Sequence, residues 1–286
     1  MSLVLNLLAG PIYSCGIALH AWISKEAIKK TSGSLKGFLE GRRDTVYNGS
    51  YFPDSGYAID LCEATYGETA HWTPFMNTYL DYIKKTCRQS GGDILMTGEC
   101  GDLIAYFFGS VSHALADVSF DSKFLVELTK RGYFPTVGDA QNVVDQGLDV
   151  LSVNDPVAGI FYDVPEYDAK PHMHHLVNIL NSTPTGGSNL NVGVDIVQCS
   201  TELMSLARML EPVWAHFKEP EYLLLVPPWA VQNRFTAPGG IDDSANYVVG
   251  FWEEFWTQLT EPSGYQPKKL SESGGWPTVT IQWVSL

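Results

Sequence analysis

The sequence predicts an all-α fold, and three observations carry that reading. Between Asp102 and Asp117 the apolar residues Leu103, Ile104, Phe107, Phe108, Val111 and Leu115 recur every three or four positions, which gathers them on one helical stripe. Leu203, Leu206, Leu210, Val213, Trp214 and Phe217 repeat the pattern, as do Val248, Phe251, Trp252, Phe255 and Trp256, so two further core helices are expected. The 286 residues are 45% hydrophobic and 17% charged, enough to bury one large core in a single domain.

Taken in order, residues 3–13 form a compact apolar stretch ending at Ser14, the length of a secretory signal peptide. The only positive charge ahead of it is the amino terminus, and Asn6 and Pro11 interrupt it; the alternative is a buried N-terminal segment. Shorter helices are expected over 18–30, 74–85 and 140–151, with Gly- and Pro-rich connections over 48–56, 182–188 and 238–240. After Pro262 the composition turns polar and Gly-rich, and 278–286 alternates like a strand. The organisation expected is a signal peptide over 1–14, one helical domain over 15–260 and a short irregular or strand-like extension over 261–286.

Eighteen basic against 32 acidic residues give a net charge of −14, with no basic stripe to neutralise phosphates, so nucleic acid is not an expected partner. The five cysteines, Cys15, Cys62, Cys87, Cys100 and Cys199, fit no CxxC metal pattern, and the odd count leaves one unpaired within the chain. In a secreted protein Cys62, Cys87, Cys100 and Cys199 allow up to two bridges in any of three connectivities. Sequons at Asn48 and Asn181 suit the same compartment and fall in loop-like stretches, so glycosylation is expected at one of them.

His113 and Asp117 lie four apart on one predicted helix, which places imidazole and carboxylate side by side, with the small residues Gly109 and Ser110 ahead of them. Alone, such a pair reads as an internal hydrogen bond. Asp54 after Pro53, His71 ahead of a predicted helix and His20 at the start of the first helix supply the residue types a zinc cluster needs, though scattered ligands are not a motif. His172, His174 and His175 follow Pro171 at the start of an amphipathic stretch and read as surface histidines. His216, between Trp214 and Phe217, reads as a packed one.

Several strings carry a family resemblance: Cys15-Gly16 with His20, Phe52-Pro53-Asp54, His71-Trp72-Thr73-Pro74-Phe75, and the run from Gly109 to Ser119 that contains Ser112-His113 and Ala116-Asp117-Val118-Ser119. Weaker matches follow at 145–152, 197–200 and 239–243, in collinear order from about residue 15 to 260. In these strings the chain resembles the zinc-dependent phospholipase C superfamily, and within it the catalytic domain of glycosylphosphatidylinositol-specific phospholipase D. The resemblance implies a multi-helix domain with a zinc cluster at the bottom of a cleft. Asp54, His71 and His113 would hold one zinc, and Asp117 would bridge to a second held by His20. A mature chain starting at Cys15 would offer its amine and carbonyl to that second ion.

The sequence departs from the family pattern where further histidines are expected. Those places hold Asp121 and, by a looser alignment, Gln141 ahead of Asp145, so a third metal would meet only oxygen ligands. About two zinc ions are therefore expected. The implied activity is a secreted phosphoric diester hydrolase acting on phosphatidylinositol-glycan lipid or anchored protein, of phospholipase D type, with peripheral membrane contact and with Asp54 and Asp117 as catalytic carboxylates. Phospholipase C-type cleavage, or a noncatalytic protein that binds lipid headgroup or glycan, are the alternatives.

Overall fold

A computed structural model describes residues 17–57, 59–153, 172–185 and 190–261, and among these it contains helices and no strand beyond one isolated bridge between Arg88 and Ile94. The elements are α1 (Ile17–Lys30), α2 (Gly33–Glu40), α3 (Arg43–Ser55), α4 (Ile59–Cys62), α5 (Gly67–His71), α6 (Thr73–Thr86) and α7 (Gly98–Ser119). A π-helical turn (Phe120–Leu125) continues α7 into α8 (Val126–Lys130), followed by α9 (Val137–Val153), α10 (Met173–Ser182), α11 (Val194–Leu225), α12 (Pro228–Asn233) and α13 (Ile241–Thr260). The predicted all-α class is the class observed. The predicted signal segment, Cys15 and residues 262–286 lie outside the described residues.

Helix α7 is the axis of the fold. From Leu103 to Asp117 every side chain on it is buried, so the helix meets protein on all sides. Residues 98–130 are long and apolar enough to cross a membrane, but 94% of the most apolar window is buried inside the fold, as in a central core helix. Helices α3, α6 and α13 pack around it, and α1 lies against α3, α9 and α13. Trp252 on α13 donates its indole N–H to the Phe108 carbonyl, and Ser24 on α1 meets Ser112 on α7 hydroxyl to hydroxyl at 2.8 Å.

The crossing of α3 and α7 is closer than side chains of ordinary size permit. A Cβ on Gly49 would collide with the Tyr106 carbonyl, and one on Gly109 with the Val46 carbonyl. Pro53 inside α3 sharpens the contact. It has no N–H to give the Gly49 carbonyl one turn earlier, and the Ser110 hydroxyl of α7 supplies a 3.2 Å hydrogen bond to that carbonyl instead. Residues 48–55, expected as part of a connection, are therefore the buried second half of a helix whose small and polar residues face another helix, not solvent.

Two disulfides settle the open connectivity: Cys62 pairs with Cys199 and Cys87 with Cys100. The first ties α11 to the segment after α3, where Tyr66 also bonds both Ser55 and Ser200. The second closes the loop between α6 and α7.

Only part of the stripe expected to bury α11 does so: Leu203 and Trp214 pack against the core, and the rest of the stripe turns outward or is half-buried. Leu206, Met209, Val213 and Phe217 are exposed, Phe217 by 74%, and His216 is exposed rather than packed. The face turned inward carries Met204, Arg208, Glu211 and Ala215, because Arg208 and Glu211 form an ion pair beside Tyr51 and Asp149, and buried charges must face their partners. The sequons are not in loops either. Asn48 lies within α3 at 8% exposure, and Asn181 lies near the end of α10 with its amide bonded to both the N–H and the carbonyl of Val192.

The helix crossing gives a direct test. Gly109→Ala should destabilise the protein by at least about 1–3 kcal/mol through overpacking. Gly250→Ala, on the exposed side of α13 with nothing within 4 Å, should be neutral or stabilising by up to about 1 kcal/mol. Denaturant unfolding of the two variants makes the comparison.

Candidate metal centre

Four elements deliver five ionisable side chains to one buried place. His20 comes from the first turn of α1, Asp54 from the last turn of α3, His71 from the end of α5, and His113 and Asp117 from successive turns of α7; none is more than 7% exposed. Each position has a local cause. The Asp149 carboxylate of α9 accepts the Leu19 N–H at the start of α1, fixing the turn that carries His20. The close approach of α3 to α7 lets the His113 Nδ1–H reach the Ser50 carbonyl at 2.7 Å. His71 Nδ1–H bonds the Gly67 carbonyl one turn earlier at 2.7 Å, and the extended Trp72 then ends α5 before α6 begins at Thr73, with Pro74 in its first turn.

With both Nδ1 atoms donating to backbone, each ring when neutral turns its Nε2 lone pair into the site, where the two Nε2 atoms lie 2.9 Å apart. Around them lie Asp54 Oδ1, at 3.5 Å from His71 and 3.6 Å from His113, and Asp117 Oδ2, at 3.6 and 3.3 Å. A tetrahedral zinc with bonds of ~2.0–2.1 Å sets its ligand atoms roughly 3.3 Å apart. The second carboxylate oxygen of Asp117 lies 3.3 Å from His20 Nε2, and the His20 ring stacks on His113 at 3.6 Å. His20 is fully buried, and the Asp117 carboxylate is the polar group that faces its Nε2. Two groups could thus hold a metal, Asp54/His71/His113 and His20/His113/Asp117, each with ligand atoms mutually within 4.8 Å.

The electrostatics match. Burial by itself would raise the Asp117 carboxyl, but the adjacent His113 and His20 rings overcome it and hold the group well below the usual range. Asp54 is lowered likewise against burial by His113 and His71. Burial would lower His71, yet Asp54 and Asp117 raise it to about 9, whereas burial and the neighbouring His20 lower His113. One position in the cage therefore attracts a proton strongly when no metal is there.

The remaining predicted residues stand apart. Asp121, in the π-helical turn, is pushed up to about 8 by burial and then by Asp117. Asp145, on α9, is raised well above the ordinary range by burial, Asp121 and Asp117, against the opposing effect of Gln141 one turn earlier. Both carboxylates lie near Asp117 but join neither tight ligand group. Cys15 lies outside the described residues.

Sequence reasoning missed the rim. Tyr57 and Trp72, both half-buried beside His71 with ring centroids 5.3 and 6.1 Å from it, donate to the two oxygens of Glu68 at 2.8 and 3.0 Å. Glu68 lies one turn before Trp72, a spacing that could have drawn notice. The Asp149 cap had no signal beyond lying one turn after Asp145.

Above pH 6.5 the metal-free protein should lose stability as pH rises. His71 binds its proton more tightly folded than unfolded, so its contribution is complete below 6.5 and lost as pH rises through about 9. Asp121 acts in the same sense, its contribution complete below 3.8 and lost through about 8. Denaturation of chelated protein across this window should show the decline, and added zinc should flatten it by occupying the proton's place at His71.

No family model matches the chain, and no solved structure matches it. Among curated proteins it is 32% identical over 152 residues to phosphatidylinositol-glycan-specific phospholipase D of Bos taurus, covering 48% of this chain and 17% of that protein. The Mus musculus protein of the same name is 29% identical over 159 residues, covering 52% and 18%, and the Homo sapiens one 28% over 156 residues, covering 48% and 17%. The matched segments thus span less than a fifth of each relative's length. Over about half of its own length, this chain resembles a region of phosphatidylinositol-glycan-specific phospholipase D.

Proposed function

We propose that this chain is a zinc-dependent phosphodiesterase that cleaves phosphatidylinositol-glycan anchors in the phospholipase D sense, outside the cell. The observation that carries the reading is the convergence of His71 Nε2, His113 Nε2 and Asp54 Oδ1, with one oxygen of Asp117 3.3 Å from His113 and the other 3.3 Å from His20. The names of the relatives supply the lipid-anchor chemistry, and the two disulfides suit an oxidising compartment.

In this reading Asp54, His71 and His113 would hold one ion together with Asp117, and Asp117 and His20 would hold a second. Such a pair supplies positive charge for a phosphodiester oxygen and acidifies a water. The protein's own part is orientation and proton handling. The Nδ1 bonds to Ser50 and Gly67 fix the two imidazoles, and Asp117, held ionised, joins the two ligand groups through its separate oxygens. Asp54, also held ionised, is the carboxylate we assign to steer the nucleophile's proton. Tyr57 and Trp72 offer ring faces beside His71 on which an inositol or sugar ring stacks.

One observation favours a noncatalytic headgroup- or glycan-binding protein as a second reading: Asp121 and Gln141 stand where the resemblance implies imidazoles. Zinc content and release of an anchored protein from vesicles separate the two. Active protein should hold about two zinc ions at the buried centre. Asp117→Asn should lose both ions, with a rate loss beyond the roughly 10–100-fold typical of removing an outer partner of a metal ligand. His20→Ala should keep one ion, and Asp121→Asn should do much less. Wild-type protein that folds without zinc and releases nothing would favour the noncatalytic reading.

A further inference from the structure

Away from the buried centre, three potential ligands converge where α10 meets the N-terminal turn of α7. Glu99 Oε1 lies 3.0 Å from His175 Nε2 and 3.8 Å from His174 Nε2, and the two rings are 3.8 Å apart. Their ligand atoms all fall within 4.8 Å of one another. The expectation that 172, 174 and 175 are plain surface histidines fails at two of them, since His172 and His175 are buried and only His174, 60% exposed at its side chain, faces solvent.

His175 is set up as a ligand rather than merely packed. Its Nδ1 meets the Tyr82 hydroxyl of α6 at 2.9 Å, which fixes the ring and turns Nε2 toward Glu99. An outer partner on the far nitrogen is the usual support of a metal-binding imidazole. The two Glu99 separations bracket the roughly 3.3 Å between ligand atoms on a tetrahedral zinc. Glu99 is also held in place covalently, because its neighbour Cys100 is bonded to Cys87 at the end of α6.

We propose that Glu99, His174 and His175 form a surface transition-metal site, distinct from the buried centre, that takes zinc and clamps α10 to α7. Two imidazoles and one carboxylate are a zinc donor set that leaves a fourth position for water or an incoming ligand, and imidazole favours zinc over calcium or magnesium. The site shares no residue with the buried centre, so it stands whether or not the chain is a phosphodiesterase.

The experiment is equilibrium dialysis of the full chain against zinc with metal analysis, comparing wild type, His174→Ala, Glu99→Gln and His20→Ala. His174 and Glu99 are exposed, so both changes leave the fold intact, which circular dichroism checks. Wild type should bind about one equivalent more than His174→Ala or Glu99→Gln, while His20→Ala keeps that equivalent and loses one elsewhere. Added zinc should also raise the melting temperature of wild type above that of His174→Ala. Equal zinc content in wild type, His174→Ala and Glu99→Gln would overturn the proposal.

Discussion

His20, Asp54, His71, His113 and Asp117 share one buried volume, and the balance of charge among them is the constraint that orders the rest of the molecule. Two ionised carboxylates removed from water are costly unless positive charge lies beside them. Without metal, the elevated proton affinity of His71 supplies that charge. With metal, the cations supply more of it, from the position toward which both Nε2 atoms already point.

The scaffold answers this constraint from several sides. Glycines at the α3–α7 crossing, with Pro53 releasing a carbonyl for Ser110, bring the backbone of one helix within reach of a histidine on the other. Asp149 secures the start of α1, and the Ser24–Ser112 contact fixes α1 against α7 one turn beyond His20. Behind Asp149, the buried Arg208–Glu211 pair and Tyr51 form a second polar layer. That layer determines which way α11 faces, and so leaves Val213 and Phe217 outside.

Much of this was legible in the residues. The apolar spacing along α7 and α13 announced both helices, and the four-residue step from His113 to Asp117 announced their shared face. What failed did so for identifiable reasons. Gly49, Ser50, Pro53 and Ser55 carry turn-like composition, and only the tertiary contact with α7 makes that stretch helical. Of the apolar stripe of α11, Leu203 and Trp214 reach the core but Leu206, Val213 and Phe217 do not, because periodicity does not reveal that Arg208 and Glu211 have buried partners 50 or more residues away in sequence. The union of His20, Asp54, His71 and His113 depends on contacts between residues far apart in the chain, which family resemblance suggested and spacing could not. His175 was misread because its partners, Tyr82 and Glu99, are equally remote.

The central claim is that the five buried side chains form a two-metal cage. The most direct measurement is an anomalous difference map, collected at the zinc absorption edge, from crystals of zinc-loaded protein. The account predicts one peak enclosed by Asp54, His71, His113 and Asp117 and a second between Asp117 and His20, about 3.5–4 Å apart. No peak at either place, with the His71 and His113 nitrogens still 2.9 Å from each other, would contradict it.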